Sequence, residues 1–104
     1  MREPSRMDLA IFKTSTAQAK PPAGIGLALE ALWWDAKGEW DKAHACAQKI
    51  EDQADGQWVH AYLHRKEGDL DNAGYWYRQA KRPVAKESLT HEWEAIAAAL
   101  LAPR

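Results

Sequence analysis

The chain has little cysteine and no long apolar segment. Cys46 is the only cysteine among the 104 residues, so an intrachain disulfide and a multi-cysteine zinc site are both excluded. No apolar run reaches the length of about 18 residues that a membrane-spanning helix needs, and the first residues lead into no apolar segment of signal-peptide type. We therefore expect a soluble, cytoplasmic protein.

An excess of charge of one sign is also missing. The chain carries 14 Lys and Arg against 15 Asp and Glu, which gives a formal net charge of −1. Because nucleic acids and anionic membranes attract a basic excess, the sequence predicts neither as a partner. Glycine-rich phosphate loops, paired-carboxylate motifs and dinucleotide fingerprints are absent as well, so we predict no enzyme activity, no catalytic residue and no cofactor.

The abundant residues favour helices. Alanine, the best helix former, occurs 20 times, whereas β-branched residues are few and no segment alternates between apolar and polar positions. Large rings between small residues suit close-packed helix pairs, and the chain has six tryptophans: Trp33, Trp34, Trp40, Trp58, Trp76 and Trp93. The composition therefore predicts an all-α protein.

Residues 1–23 are predicted to be a flexible N-terminal arm that ends at two prolines. Ser5 is placed to cap a short helical turn in this arm. The arm also contains one apolar patch that can dock on the rest of the protein: Met7, Leu9, Ile11 and Phe12.

Residues 24–104 are predicted to form a single helical domain. Gly38 and Gly68 stand where left-handed residues end two helices, and Asp69 and Ser88 are suited to begin two others. The predicted helices are about 26–37, 40–52, 57–67, 70–81 and 88–102.

The chain resembles itself after a shift of 30 residues. This shift aligns identical residues at the predicted turn and at the small positions where two helices touch, namely Ala31 with Ala61, Gly38 with Gly68, Asp41 with Asp71 and Ala43 with Ala73. Two copies of a helix–turn–helix unit follow, at about residues 26–52 and 57–82.

These residues resemble the tetratricopeptide repeat family. The segments 37–43 and 67–73 look like the turn of that repeat, and the paired alanines match its small positions. The period of 30 departs from the usual value of about 34. The resemblance implies two stacked tetratricopeptide-like hairpins closed by a C-terminal capping helix, with a surface that binds a peptide or a partner helix.

The surface that corresponds to the family's groove is unusually apolar here. Two interpretations stay open: the third helix is rotated, or the groove is covered by the arm or by the last helix. The periodicity of the third helix favours rotation, with its histidine face partly solvated. The candidate binding residues are Leu32, Trp58, Tyr62, Arg65, Lys66 and Tyr75.

A polar cluster is predicted on the third helix. His60 and His64 are spaced i, i+4 and can form half of a metal site, with Glu67 or Glu30 as a third ligand. Without the glutamate-containing zinc-protease pattern this spacing is a weak signal, so we predict an ordinary polar helix face and no metal. A buried Glu30–His60 ion pair between the two copies is a further hypothesis.

The sequence thus predicts a small protein–protein interaction module. Its partner is expected to be a protein or peptide, recognised by the shape of the groove. Two alternatives are a structural protein that assembles with itself, such as a homodimer, and a histidine-based metal-binding protein.

Overall fold

The computed structural model describes residues 7–102, and this part of the chain contains helices and no strand. The all-α prediction, with two helical hairpins followed by a C-terminal helix, is confirmed. The helices are α1 (Leu9–Ser15), α2 (Leu27–Ala36), α3 (Trp40–Gln48), α4 (Ala54–Lys66), α5 (Leu70–Ala80) and α6 (Leu89–Leu101). Helices α2 and α3 form the first hairpin, and α4 and α5 form the second.

Local signals set most helix ends. Gly38 and Gly68, in the two hairpin turns, have left-handed φ angles of 81° and 89°, which a glycine adopts without steric cost. The Asp69 side chain accepts a hydrogen bond from the Asn72 amide, and Ser88 accepts one from the His91 amide. The predicted caps of α5 and α6 are therefore confirmed, because both side chains satisfy amides of the first helical turn.

The repeated small residues are where the helices meet. Ala31, Ala43 and Ala61 are fully buried and Ala73 is 2 % exposed. Within each hairpin the two helices pack against each other, and α3 packs against α4 to join the hairpins. Alanine lets helix backbones approach closely at these contacts.

The junction between the hairpins comes earlier in the chain than predicted, at residues 49–53 instead of 53–56. α3 ends at Gln48, and α4 spans Ala54–Lys66, so the third helix of the domain begins three residues before the predicted start at 57. A Cβ atom at Gly56 would lie 2.1 Å from the Ile50 carbonyl oxygen. Glycine is needed there because the first turn of α4 touches the backbone of the preceding turn.

The C-terminal helix lies on α2 and α4, the first helices of the two hairpins. The Trp93 indole of α6 donates a 2.9 Å hydrogen bond to the Leu32 carbonyl, and both residues are buried. α6 therefore covers the surface that the sequence assigned to a binding groove. Burial of apolar side chains against it stabilises the stack, since a single hairpin leaves its apolar face open.

Part of the predicted flexible arm is a packed helix. Phe12 of α1 is fully buried and stacks on Trp93, with 5.6 Å between ring centroids, and Ser15 accepts a hydrogen bond from the Trp33 indole. Asp8 caps α1 by accepting from the Ile11 amide. The predicted docking patch thus binds α6, while the predicted Ser5 cap lies outside the described residues.

Candidate functional site

The six predicted binding residues do not share one open surface. Leu32 is fully buried and Tyr62 is 2 % exposed, because α6 lies over them. Trp58 and Arg65 are half-buried, and Lys66 and Tyr75 are exposed. Of the two interpretations left open by the sequence, coverage by the last helix is the one observed, and rotation of α4 to solvate its histidines is not.

Beneath α6, the polar side chains form a network that pairs its buried carboxylates. We call it the α6-side network; its members are Asp35, Tyr62, Arg65, Lys66, Tyr77 and Glu92. Asp35 is 3 % exposed, and its two oxygens accept from the Tyr62 hydroxyl at 2.8 Å and from Lys66 Nζ at 2.9 Å. Burial, together with the Asp35 carboxylate, raises the pKa of Tyr62, so this hydroxyl stays protonated and donates.

Glu92 forms the second half of this network. It is 3 % exposed; Arg65 Nη1 donates to one of its oxygens at 2.8 Å and the Tyr77 hydroxyl donates to the other at 2.5 Å. Arg65 also donates to the Glu87 carbonyl. Because both carboxylate oxygens and the guanidinium have partners, Arg65 is a structural residue that fastens α6 to α4.

On the opposite side of α4, three histidines from two helices lie close together. His60 and His64 of α4 are 3 % and 7 % exposed, and His44 of α3 is half-buried. One ring nitrogen from each lies within 4.8 Å of the other two, and the Nε2 atoms of His44 and His60 share a hydrogen bond of 2.9 Å. These three residues are the histidine cluster.

Two indole rings enclose the histidine cluster. Trp40 of α3 stacks on His44 with 4.9 Å between centroids, and Trp76 of α5 stacks on His60 at 4.1 Å. The prediction of a partly solvated histidine face is therefore wrong. Amphipathic rings such as histidine and tryptophan can pack face to face, which lets α3 and α5 cover a face that reads as polar in the sequence.

Glu67 is hydrogen-bonded to one ring nitrogen of His64. Its Oε1 atom is 2.5 Å from His64 Nδ1. A carboxylate only accepts hydrogen bonds, so Nδ1 carries the proton, and in the neutral ring the lone pair is left on Nε2. Glu67 therefore orients His64 from behind, in the way that carboxylates commonly support metal-binding histidines.

The other two histidines are held in the neutral form. Burial lowers the pKa of His60 to about 4, and the charges of His44 and His64 make a smaller contribution in the same direction. Burial also lowers the pKa of His44, and the charge of His64 contributes less in the same direction. His60 Nδ1 is buried without a hydrogen-bond partner, although such atoms are normally paired. Neutral imidazoles with available lone pairs are the form that binds metals.

Glu30 does not belong to the cluster. Its carboxylate accepts from the Trp34 indole at 3.2 Å, whereas His60 pairs with His44, so the hypothetical Glu30–His60 ion pair is wrong. Glu30 instead lies near Cys46, which is buried. Burial, and to a smaller extent the Glu30 carboxylate, raises the pKa of the Cys46 thiol to about 11. Cys46 is therefore not a reactive thiolate near neutral pH.

His44 is the site residue that the sequence reasoning missed. The i, i+4 rule finds His60 and His64 within one helix, but His44 is 16 residues away from its partner. The repeat gives no help, since the residue aligned with His44 is Gly74. The one available signal is that Trp40 and His44 share a face of α3, and its meaning depends on how α3 packs against α4.

Comparison with known proteins gives no match to a family model, a curated protein or a solved structure. The resemblance to tetratricopeptide repeats, the protein or peptide partner and the homodimer alternative therefore stay predictions. Within residues 7–102, no helix has the length and apolar character required to cross a membrane.

Proposed function

We propose that the protein binds one divalent transition-metal ion through His44, His60 and His64. The observation that supports this function is the convergence of three imidazole nitrogens, from two different helices, within 4.8 Å. Three histidines form a common ligand set for Zn²⁺, and imidazole also suits copper and nickel. This replaces the sequence-based expectation of no metal.

The spacing of the nitrogens is compatible with a metal ion. With Zn–N bonds of about 2.0–2.1 Å, two ligands of a tetrahedral ion lie about 3.3 Å apart. The distance of 2.9 Å between the Nε2 atoms of His44 and His60 is slightly shorter than this value. The other two nitrogen–nitrogen distances are at most 4.8 Å. Shifts of up to about 1.5 Å would bring the three nitrogens to bonding distance, and half-buried His44 has the most freedom to move.

The surroundings of the cluster also favour a cation. Carboxylates of Glu67, Asp41 and Glu51 lie close enough to act electrostatically on His44. Negative charge around neutral ligands attracts a divalent ion, and the Glu67–His64 hydrogen bond increases the basicity of that ligand.

A metal in this position joins the two hairpins. His44 lies in the first hairpin and the other ligands in the second, so the bound ion crosslinks α3 to α4. An ion that binds only the folded protein raises the free energy of unfolding by about 2.7 kcal/mol when its free concentration is 100-fold above Kd.

Calorimetric titration with ZnCl₂ at neutral pH tests this function. We expect one Zn²⁺ per chain, and loss of at least about 10-fold in affinity for the His44→Asn variant. The matched control is His91→Asn, which removes the chain's fourth, exposed histidine and leaves the affinity unchanged. Absence of binding by the folded wild-type protein contradicts the proposal, and so does equal binding by His44→Asn.

A second variant addresses the supporting carboxylate. Glu67→Gln keeps a hydrogen-bond acceptor but removes the charge, and we expect it to lower zinc affinity by about 10- to 100-fold. Circular dichroism spectra of each variant show whether its helices are intact.

A further inference from the structure

The histidine cluster provides three ligands, and a tetrahedral ion takes four. We propose that the ion bound there keeps one coordination position for a ligand that this chain does not supply, a water molecule that a small monodentate anion can replace. This inference rests on the proposed metal-binding function.

The described part of the chain offers no fourth ligand. The cluster contains His44, His60 and His64, and no further His, Cys, Asp or Glu among residues 7–102 lies within reach of all three. A second group of ligand atoms, from His64, Glu67 and Asp69, shares only His64 with the cluster. Glu67 is hydrogen-bonded to Nδ1 of His64, which leaves Nε2 of that ring for the ion.

The residues that enclose the cluster cannot fill the position either. Trp40 and Trp76 stack their ring faces on His44 and His60, and an indole N–H is a donor without a lone pair for a metal. The Trp40 N–H is already used, since it donates to the Leu63 carbonyl at 2.9 Å. These rings limit the space around the ion without coordinating it.

One side of the cluster is accessible to solvent. His60 is 3 % exposed, but His44 is half-buried and the side chain of Glu67 is 37 % exposed. We therefore expect a small ligand to approach from the side of His44, since His60 is the most buried member of the cluster. The α6-side network lies beneath α6 and contributes no ligand to the cluster.

The charge of the ligands favours an anion in the open position. Three neutral imidazoles leave the 2+ charge of the ion uncompensated at bonding distance, whereas the carboxylates of Glu67, Asp41 and Glu51 act from outside the ligand set. A bound water in such a position loses a proton more readily than free water, and protein sites with three zinc ligands commonly keep this arrangement.

Cobalt(II) substitution tests the open position. The protein is loaded with one Co²⁺ per chain, and its visible d–d absorption is recorded while sodium azide is added. We expect a saturable change that fits one azide per Co²⁺ and is retained in His91→Asn. Ultrafiltration after the titration checks that cobalt remains on the protein; release of cobalt by azide counts against the proposal.

The Glu67→Gln variant distinguishes an open position from a filled one. If Co²⁺ binds to the wild-type protein but azide changes its spectrum only in Glu67→Gln, Glu67 is the fourth ligand and the inference is wrong. A cobalt spectrum insensitive to azide in both proteins also overturns it, although metal binding itself then stands. Failure of Co²⁺ and Zn²⁺ to bind at all overturns both proposals.

Discussion

Helix α4 separates two polar clusters that are built on different principles. On one side, the α6-side network pairs two buried carboxylates with Lys66, Arg65 and two tyrosine hydroxyls. On the other side, the histidine cluster contains three imidazole rings, one hydrogen bond between His44 and His60, and the unpartnered Nδ1 of His60. Both clusters are largely buried and both join α4 to a neighbouring helix.

The difference shows what each cluster is suited for. A buried charge network in which each carboxylate oxygen has a partner is already complete, and an added ligand would have to break existing bonds. The histidine cluster has three ring nitrogens within 4.8 Å of one another and a buried nitrogen without a partner, so a cation would displace only the His44–His60 hydrogen bond there. We therefore assign fold stability to the first cluster and ligand binding to the second.

The largest effect is expected from breaking the network. Glu92→Ala leaves Arg65 and the Tyr77 hydroxyl without their buried partner, and loss of one member of a buried pair costs about 3–5 kcal/mol. Urea unfolding measures this loss. The matched control on the same helix is Glu94→Ala, which removes a solvent-exposed ion pair with Lys13 and should cost much less, because water screens an exposed pair. Equal losses for the two variants would contradict the assignment.

A smaller effect is expected from acidification of the metal-free protein. The pKa of His60 is 6.5 in the unfolded chain and about 4 in the folded protein, because the ring is buried, faces His44 and His64, and is covered by Trp76 of α5. The unfolded chain therefore binds the proton first, and stability falls as the pH drops from about 6.5 towards 4. The loss is at most about 3 kcal/mol.

The comparison that isolates this effect is the difference between the wild-type protein and His60→Leu. Unfolding free energies are measured with chelator present between pH 7 and pH 5, where few carboxylates titrate. We expect the wild-type protein to lose more stability than the variant across this interval. Parallel profiles would mean that His60 is not held neutral by the fold.

The smallest change in stability is expected for the same His60→Leu substitution at neutral pH without metal. Leucine removes an unsatisfied polar atom, and half-buried His44 can bind water in place of its lost partner. We expect a change below about 1 kcal/mol, together with loss of zinc stabilisation. A loss above about 3 kcal/mol would place this cluster in the same class as the α6-side network.

The sequence predicted much of the scaffold and two of the three histidines of the site. Helix type, the glycine turns and the Asp69 and Ser88 caps follow from residues within a few positions of one another. His60 and His64 were found in the same way. Their burial was not predicted, because the polarity of a histidine does not reveal whether a ring from another helix covers it.

What the sequence alone determined is the pair of similar helical hairpins, since turns, caps and small contact positions depend on local backbone conformation. Only the tertiary structure decided that α3 brings His44 to the α4 histidines and that α6 occupies the predicted groove. Both depend on how whole helix faces pack in three dimensions, which joins residues far apart in the chain by shape and by paired polar groups rather than by any local pattern.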